Sequence, residues 1–209
     1  MENFTSRLLY PNLRVQEFSA LAGALLDGRT LIYPTETGYA IGCDAMNALA
    51  VERLFKIKKR DPKKSMLVLV KDRSQLDELV VGITDLHRQT MDKGWPGPLT
   101  IVFDARPGFF PESLLAGKPP NVAVRISTHP FTRRLLEQFS RPIVCTSANL
   151  SGENNPNSLK DIADPILNGA DFVVDAGDLP PSLGATIVRI EMGTVKVIRQ
   201  GDLSLDQGN

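Results

Sequence analysis

This sequence lacks an excess of charge of either sign, because it carries 24 Lys and Arg residues against 24 Asp and Glu residues. A dedicated nucleic-acid-binding domain normally has a strongly basic surface. The balanced charge therefore argues against nucleic-acid binding as the main role of the chain. Any electropositive surface must be local.

Cysteine and histidine are also scarce, with two of each in 209 residues. Cys43 and Cys145 lie beside apolar segments, and a chain of this size can build a core without disulfides, so we predict two buried free thiols. No cluster of metal-ligating side chains is recognisable, and we predict no metal site formed by the protein alone. His87 and His129 are predicted at surface or helix-capping positions rather than as catalytic bases.

Long apolar runs, repeats and flexible linkers are missing as well. The longest clear apolar segment, Met66 to Val70, is far too short to span a bilayer. The first seven residues lack the pattern of a secretory signal. We therefore expect a cytoplasmic protein that forms a single domain over residues 1–209.

The chain does contain an alternation of helix and strand patterns, with 42% apolar residues to build a core. Helices are predicted at residues 15–26, from Asn47, from the Ser74/Asp77 capping box to before Trp95, at 131–139 and from Ser158. Strands are predicted at residues 30–33, ending at Pro34, and at 66–70, 99–103, 122–126, 143–145, 171–175, 186–190 and 195–199. Met192-Gly193 is typical of a hairpin between the last two strands. The predicted fold class is therefore α/β with a mixed sheet, whose strand order the sequence does not give.

Two distant segments have the side chains of an anion site. Lys58-Lys59-Arg60 supplies positive charge and forked donors at the end of a predicted helix, and Ser147-Ala148-Asn149 supplies a hydroxyl and an amide after an apolar strand. If the two segments meet, they can hold a polyphosphate. The alternative for the basic run, which extends from Lys56 to Lys64, is a solvated helix end whose cations oppose the helix dipole.

Two further segments have both a structural and a functional interpretation, and a third has a structural one. Pro34 to Gly42 follows a strand, and it is either a ligand-binding loop or a polar connection in which Gly38 and Gly42 only permit turns. Arg125, at the end of a strand, either binds a ligand or lies in solvent or in an ion pair. Trp95 to Thr100 is interpreted as a structural turn that anchors the core.

Five segments, in this order, resemble the YrdC/TsaC family over a region from Leu31 to Arg199. They are Pro34-Thr35-Glu36-Thr37, Lys58-Lys59-Arg60, Trp95-Pro96-Gly97-Pro98-Leu99-Thr100, Ala123-Val124-Arg125 and Thr146-Ser147-Ala148-Asn149-Leu150-Ser151-Gly152. The resemblance implies a single YrdC-like domain with a twisted mixed sheet, flanking helices and a concave ligand cleft. It also implies the activity of an L-threonylcarbamoyladenylate synthase, a nucleotidyltransferase that makes threonylcarbamoyl-AMP and pyrophosphate from L-threonine, bicarbonate and ATP.

Residue roles follow from the same resemblance. Lys58 and Arg60 match the catalytic cations of the family, and the nucleotide-binding pattern comprises Lys58, Arg60, Ser147, Asn149 and Arg199. The threonine-binding positions are Thr35, Arg125 and Thr146. Mg²⁺ would arrive with ATP, and the product would pass to threonylcarbamoyl-transferase proteins that modify adenosine at position 37 of tRNA.

The resemblance leaves alternatives open. Gly38, Ala40 and Ala185 differ from the usual family pattern, since many members have Ser in place of Ala185, and the first two substitutions resemble the YciO paralogue branch. A module that binds tRNA or double-stranded RNA without threonine-dependent catalysis is a second alternative, because family members are associated with double-stranded RNA. A domain that passes a carbamoyl adenylate to another acceptor is a third.

Overall fold

The protein is described here from a computed structural model, which covers residues 6–61, 66–150 and 152–205. Its strands are Ser6–Leu9 (β1), Leu31–Thr35 (β2), Gly38–Gly42 (β3), Leu67–Leu69 (β4), Val80–Val81 (β5), Leu99–Ala105 (β6), Asn121–Arg125 (β7), Ile143–Ser147 (β8), Phe172–Asp175 (β9), Thr186–Glu191 (β10) and Thr194–Arg199 (β11). Its α-helices are Val15–Leu26 (α1), Ala48–Ile57 (α2), Leu76–Leu79 (α3), Asp85–Gly94 (α4), Pro130–Phe139 (α5) and Asp164–Gly169 (α6). These elements confirm the predicted α/β class.

The strands form one mixed sheet in the order β1-β9-β2-β3-β8-β4-β7-β6-β10-β11, and β5 pairs with β6 off this path. Parallel pairs join β1 to β9, β2 to β9, β4 to β7, and β6 to β10. The remaining pairs are antiparallel, including the predicted hairpin of β10 and β11. This order interleaves strands from both ends of the chain.

Strand periodicity divides the core into two clusters on opposite faces of the sheet. Alternate residues of a strand point to opposite faces, so Ile32 joins one cluster while Leu31 and Tyr33 join the other. We call these the first face and the second face. Helices α2 and α6 contribute to the cluster on the first face, and α1 and α5 contribute to the cluster on the second face.

Several helix boundaries confirm the sequence analysis. Helix α1 spans the predicted residues and is followed by Gly28 in the left-handed conformation, with φ of 77°. Asn47 caps α2 by accepting a hydrogen bond from the Ala50 backbone N–H at 3.1 Å. His129 caps α5 in the same way, through Nδ1 to the Phe131 N–H at 3.2 Å.

The prediction that the strand of residues 30–33 ends at Pro34 is wrong. Strand β2 continues to Thr35, and the segment interpreted as a loop contains β3, which forms a hairpin with β2. Pro34 is tolerated because its register partner Tyr39 donates its N–H to Pro156 O at 2.8 Å, while Pro34 O accepts from the Thr132 hydroxyl at 2.8 Å. The Tyr39 N–H and the Pro34 carbonyl therefore do not need a hydrogen bond between β2 and β3 at this position.

Two predicted helices are also corrected. Asp72, rather than Ser74, caps the segment after β4. This segment forms only a 3₁₀ turn and the short α3, and it continues as β5 because Val80 and Val81 pair with β6. The Ser158/Asp161 capping box exists, but it starts only a 3₁₀ turn, and α6 begins separately at Asp164. Strand β1 was not predicted. In the first of these regions, the pairing of β5 with β6 overrides the local helical pattern.

Candidate functional site

The two segments predicted to form an anion site meet in the structure. Lys58, the residue after α2, is 1% exposed, and its ammonium group reaches the turn that follows β8. It donates hydrogen bonds to the backbone oxygen of Ser147, to Asn149 O at 2.9 Å and to Asn149 Oδ1 at 3.3 Å. The turn is also tied to β3, because Ala148 N donates to Tyr39 O at 2.9 Å. The pairing of β3 with β8 brings these elements together.

Burial and charge crowding affect the protonation of these cations. Burial, together with the nearby charge of Arg60, lowers the pKa of Lys58 to about 8. Burial also lowers the pKa of Arg60 and of Arg199, and for Arg199 the charge of Arg125 adds to the effect. An anion bound among these groups would relieve both penalties.

A cavity of about 470 Å³ lies beside this turn, on the second face of the sheet. Val122 and Val124 of β7 pack into the core of the first face, so the alternate residues Ala123 and Arg125 point into the cavity. The lining comprises Thr35, Thr37, Gly38, Tyr39, Ala40, Arg60, Met66, Leu67, Val102, Ala116, Asn121, Ala123, Arg125, Cys145, Thr146, Ser147, Asn155, Ala185, Ile187, Arg189, Ile198 and Arg199.

The charged side chains that line this cavity are all arginines, within the part of the chain that the structure describes. Arg60, Arg125, Arg189 and Arg199 come from four separate segments of the sequence. Arg199 is held by the Ala185 carbonyl, to which it donates at 2.9 Å. A cavity with this lining favours an anionic ligand with more than one negative group.

Arg125 is 2% exposed and has protein groups on each edge of its guanidinium. Nη1 donates to Thr37 Oγ1 at 3.0 Å, and Nη2 lies 3.5 Å from Cys145 Sγ. Nε lies 3.6 Å from Glu36 Oε1, which makes an ion pair, but neither atom has a hydrogen-bond partner among the described residues. Burial opposes the charge of Arg125, yet the Glu36 carboxylate and the neighbouring Cys145 and Tyr33 raise its pKa.

Thr35 and Thr146, the predicted threonine-binding hydroxyls, both line the cavity. Thr35 Oγ1 donates to Gly38 O at 2.7 Å and accepts from Thr37 N at 3.2 Å. Its proton is therefore committed to Gly38, and the 3.2 Å contact with Thr37 Oγ1 must use the Thr37 proton. A polarised chain of hydrogen bonds thus runs from Arg125 through Thr37 to Thr35.

The structure places six of the eight predicted site residues in the cavity lining: Thr35, Arg60, Arg125, Thr146, Ser147 and Arg199. The other two, Lys58 and Asn149, lie behind the lining and hold its turn. Thr37 lies in the Pro34 to Gly42 segment that was considered as a ligand-binding loop, whereas Asn121, Asn155 and Arg189 were not predicted. The alternation of Ile187 and Arg189 with the buried Val188 was the signal that could have placed Arg189 on the cavity face. Arg189 is held there by Asp104 at 3.2 Å.

The other sequence predictions concern the cysteines, the histidines and Trp95. Cys43 and Cys145 are buried and free, as predicted. His87 and His129 both cap helices, and burial lowers the pKa of each. Trp95 anchors the core as predicted, donating from Nε1 to Leu99 O at 2.6 Å.

The described residues contain no group of three or more His, Cys, Asp or Glu side chains that could hold a metal ion. None of their helices is long and apolar enough to cross a membrane. Lys63, Lys64 and Ser151, which belong to the predicted basic run and to the turn motif, lie outside the described residues.

Residues 23–201 match the family model Sua5/YciO/YrdC, which is described as telomere recombination. A threonylcarbamoyl-AMP synthase of Serratia proteamaculans is 34% identical over 186 residues, which cover 88% of this chain and 96% of the relative. A threonylcarbamoyl-AMP synthase of Escherichia coli K12 is 33% identical over 192 residues, which cover 91% of this chain and 98% of the relative. The similarity to both relatives therefore extends over nearly their whole length.

Solved structures show the same fold. The crystal structure of P. abyssi Sua5 complexed with L-threonine has a TM-score of 0.86 and 26% sequence identity, and the match covers 96% of this chain but 58% of the archaeal chain. The chain thus spans less than two thirds of that protein. The crystal structure of E. coli YciO has a TM-score of 0.85 and 22% identity, with 97% of each chain covered. At that identity the likeness concerns the fold alone.

Proposed function

Because this chain belongs to the Sua5/YciO/YrdC family, we propose that it is a threonylcarbamoyl-AMP synthase. It would convert L-threonine, bicarbonate and ATP into threonylcarbamoyl-adenylate and pyrophosphate. The observation that carries this proposal is the cavity of about 470 Å³, whose arginines and hydroxyls match an amino acid and a triphosphate in charge. The names of the curated relatives support the same reaction.

In the proposed site, one set of residues serves the nucleotide. Lys58, Arg60, Ser147, Asn149 and Arg199 form the phosphate half, around the turn that follows β8. Lys58 and Arg60 supply catalytic charge, because negative charge redistributes over the phosphate oxygens as pyrophosphate leaves. Lowered pKa values of the cations support this assignment, since bound phosphates would restore favourable charge balance.

A second set serves the amino acid. The guanidinium of Arg125 would hold the carboxylate of threonine, and the hydroxyls of Thr35 and Thr146 line the same part of the cavity. Arg125 and Arg199 line the same cavity, which supports a site where two anionic groups bind side by side.

The chemistry requires no nucleophile from the protein. The threonine amine and bicarbonate combine to a carbamate with loss of water. A carbamate oxygen then attacks the α-phosphorus of ATP, the new P–O bond forms, and the bond to the β-phosphate breaks to release pyrophosphate. The role of the protein is therefore to position two substrates and to stabilise charge. Mg²⁺ would enter as part of the ATP substrate, with phosphate oxygens and waters among its ligands.

The product and the location belong to the same proposal. Threonylcarbamoyl-adenylate would be passed to threonylcarbamoyl-transferase proteins for the threonylcarbamoyladenosine modification of tRNA. The proposed location of the protein is the cytoplasm. Direct contact of this chain with tRNA is not needed for the adenylation step.

The test is release of pyrophosphate by the purified protein, with ATP, bicarbonate and L-threonine each omitted in turn. We expect release to require all three substrates. Ser147→Ala or Lys58→Ala should lower the rate more than tenfold, which corresponds to at least about 1.4 kcal/mol of transition-state stabilisation. Turnover that persists without threonine would contradict the assignment.

A YciO-like role without threonine is the second candidate, and two positions favour it. Ala185 lines the cavity without a hydroxyl, and a Cβ at Gly38 would lie 2.8 Å from Pro156 O, so this hairpin differs from relatives with a larger residue there. Calorimetric titration with L-threonine in the presence of ATP separates the two functions. Absence of heat at millimolar threonine would favour the YciO-like role. Salt-sensitive binding of duplex RNA that persists without ATP would favour an RNA-binding module instead.

A further inference from the structure

Glu36 is a charged side chain near the cavity that has no role in the proposed reaction so far. It lies in the turn between β2 and β3, and it is not among the described residues that line the cavity. Its side chain is only 14% exposed. Acidic side chains are mostly exposed, and a buried one normally has a counter-charge or hydrogen bonds that compensate its lost hydration. The contacts of Glu36 therefore indicate its role.

The two carboxylate oxygens of Glu36 have different partners. Oε2 accepts a hydrogen bond from the Ser127 hydroxyl, whose oxygen in turn accepts from His129 N at 3.1 Å. Oε1 lies 3.6 Å from Arg125 Nε, a distance that makes an ion pair but is too long for a hydrogen bond between these two atoms. Glu36 thus links the β2–β3 turn to the end of β7, although β2 and β7 are not neighbours in the sheet.

Arg125 keeps two N–H donors for a ligand. A guanidinium has five N–H donors. Nη1 donates one to Thr37 Oγ1 at 3.0 Å, Nη2 has one toward Cys145 Sγ at 3.5 Å, and the single donor of Nε is on the side of Glu36. One N–H is therefore left on each of the two terminal nitrogens. Because Arg125 lines the cavity, these two donors can bind one carboxylate through two hydrogen bonds.

The charge of Arg125 is compensated inside the protein, whereas the charge of Arg199 is exposed to water at the same cavity. Arg125 is 2% exposed and has the Glu36 carboxylate beside it. Arg199 is exposed, and it donates to a neutral group, the Ala185 carbonyl, at 2.9 Å. A buried cation without a counter-ion would attract a highly charged anion more strongly than an exposed cation does, because burial reduces screening. Glu36 removes this attraction at Arg125.

We propose that Glu36 is a positioning residue that determines which anion Arg125 accepts. It compensates the buried charge and holds the guanidinium, so that Arg125 binds the single carboxylate of an amino acid. The phosphates of the nucleotide are then left to the cations around the turn that follows β8. The inference rests on the proposed function, and it adds a residue that keeps the two anionic substrates in separate halves of the cavity. Without Glu36, a phosphate group would compete with the carboxylate for Arg125.

Calorimetry with inorganic pyrophosphate as the probe tests this proposal without depending on turnover. The variant is Glu36→Gln, which keeps the size of the side chain and removes its charge. We expect this variant to bind pyrophosphate at least about tenfold more tightly than the wild type. Saturating pyrophosphate should lower the affinity for L-threonine at least about tenfold in Glu36→Gln and less than about twofold in the wild type. A loss of packing alone would not produce this competition.

Two controls separate charge compensation from a structural effect. Asp44→Asn changes a carboxylate that is also 2% exposed and paired with an arginine, Arg141 at 3.2 Å, but that does not belong to the cavity lining. This variant should bind both ligands as the wild type does. The double variant Glu36→Gln/Arg125→Met lacks both charges of the pair, so its affinity for pyrophosphate should return to within about twofold of the wild type. A gain that persists in the double variant does not act through Arg125 and overturns the proposal.

Glu36→Asp covers the case in which Glu36→Gln does not fold. It keeps the charge on a shorter side chain, so the counter-charge lies farther from Arg125 and pyrophosphate should bind about two- to tenfold more tightly than to the wild type. If no folded Glu36 variant binds pyrophosphate more tightly than the wild type, the proposal is wrong. If the wild type binds no threonine, the proposed function fails, and the affinity for pyrophosphate still decides whether Glu36 controls Arg125.

Discussion

Replacing Arg125 with lysine should weaken the binding of L-threonine while leaving the fold intact. The guanidinium is buried between Glu36, Thr37 and Cys145, so its removal by alanine would leave the Glu36 carboxylate without its ion pair. Lysine keeps the positive charge beside Glu36. It loses the planar fork that can give a carboxylate two parallel hydrogen bonds.

The expected magnitude follows from the contacts that are lost. A hydrogen bond to a charged group contributes about 1.5 to 3 kcal/mol. Since the charge itself remains, we expect the lower end of this range, which is about a tenfold increase in the dissociation constant for threonine. Arg199→Lys is the matched control in the same cavity. Arg199→Lys should lower the affinity for ATP about tenfold and change the affinity for threonine by less than about twofold.

Calorimetry with each ligand, accompanied by thermal unfolding of each variant, measures both effects. The assignment of Arg125 to the amino acid is refuted if Arg125→Lys binds threonine as the wild type does and binds ATP more weakly. In that case, Arg125 belongs to the nucleotide half. A fall in both affinities together with a fall in Tm would show that the substitution has disturbed the hairpin that carries Thr37.

Three other predictions concern specificity, protonation and stability. Ala185→Ser adds a hydroxyl to the cavity lining and should increase the affinity for L-threonine by about two- to tenfold, as measured by calorimetry. An unchanged affinity would show that this position does not contribute to threonine recognition. The pKa of Lys58 is lowered to about 8, and bound phosphates should raise it. ATP binding should therefore take up protons near pH 8 but not near pH 6. Calorimetric titration in buffers of different ionisation enthalpy measures this uptake. Equal heats in all buffers at pH 8 would contradict this. The Asp171 carboxylate accepts hydrogen bonds from Thr30 and Arg53. Asp171→Ala should therefore reduce the free energy of unfolding, measured by urea denaturation at pH 7, by about 1 to 3 kcal/mol with an unchanged m-value. Because these contacts lower the pKa of Asp171, the loss should shrink as the pH falls below about 4, and a loss independent of pH would point to another cause.

Local signals made much of the fold predictable. Asn47 and His129 cap helices through their own side chains, which is a short-range effect that the sequence reveals. The alternation of helix and strand patterns and the final hairpin predicted a mixed α/β sheet, and the sheet confirms it. The short β1 and β5 were missed because such strands depend on their pairing partners rather than on their own pattern.

The sequence by itself determined the class of the fold, its family and the chemical types at the site, because helix periodicity, caps and the motifs around Lys58, Arg125 and Ser147 are local properties. Tertiary structure decided the strand order, the continuation of β2 through Pro34 and the addition of Arg189 to the cavity. It also decided that Lys58 and Asn149 lie behind the cavity wall. Hydrogen-bond saturation and burial depend on which distant backbone oxygens come within reach, and no local pattern in the chain encodes that distance.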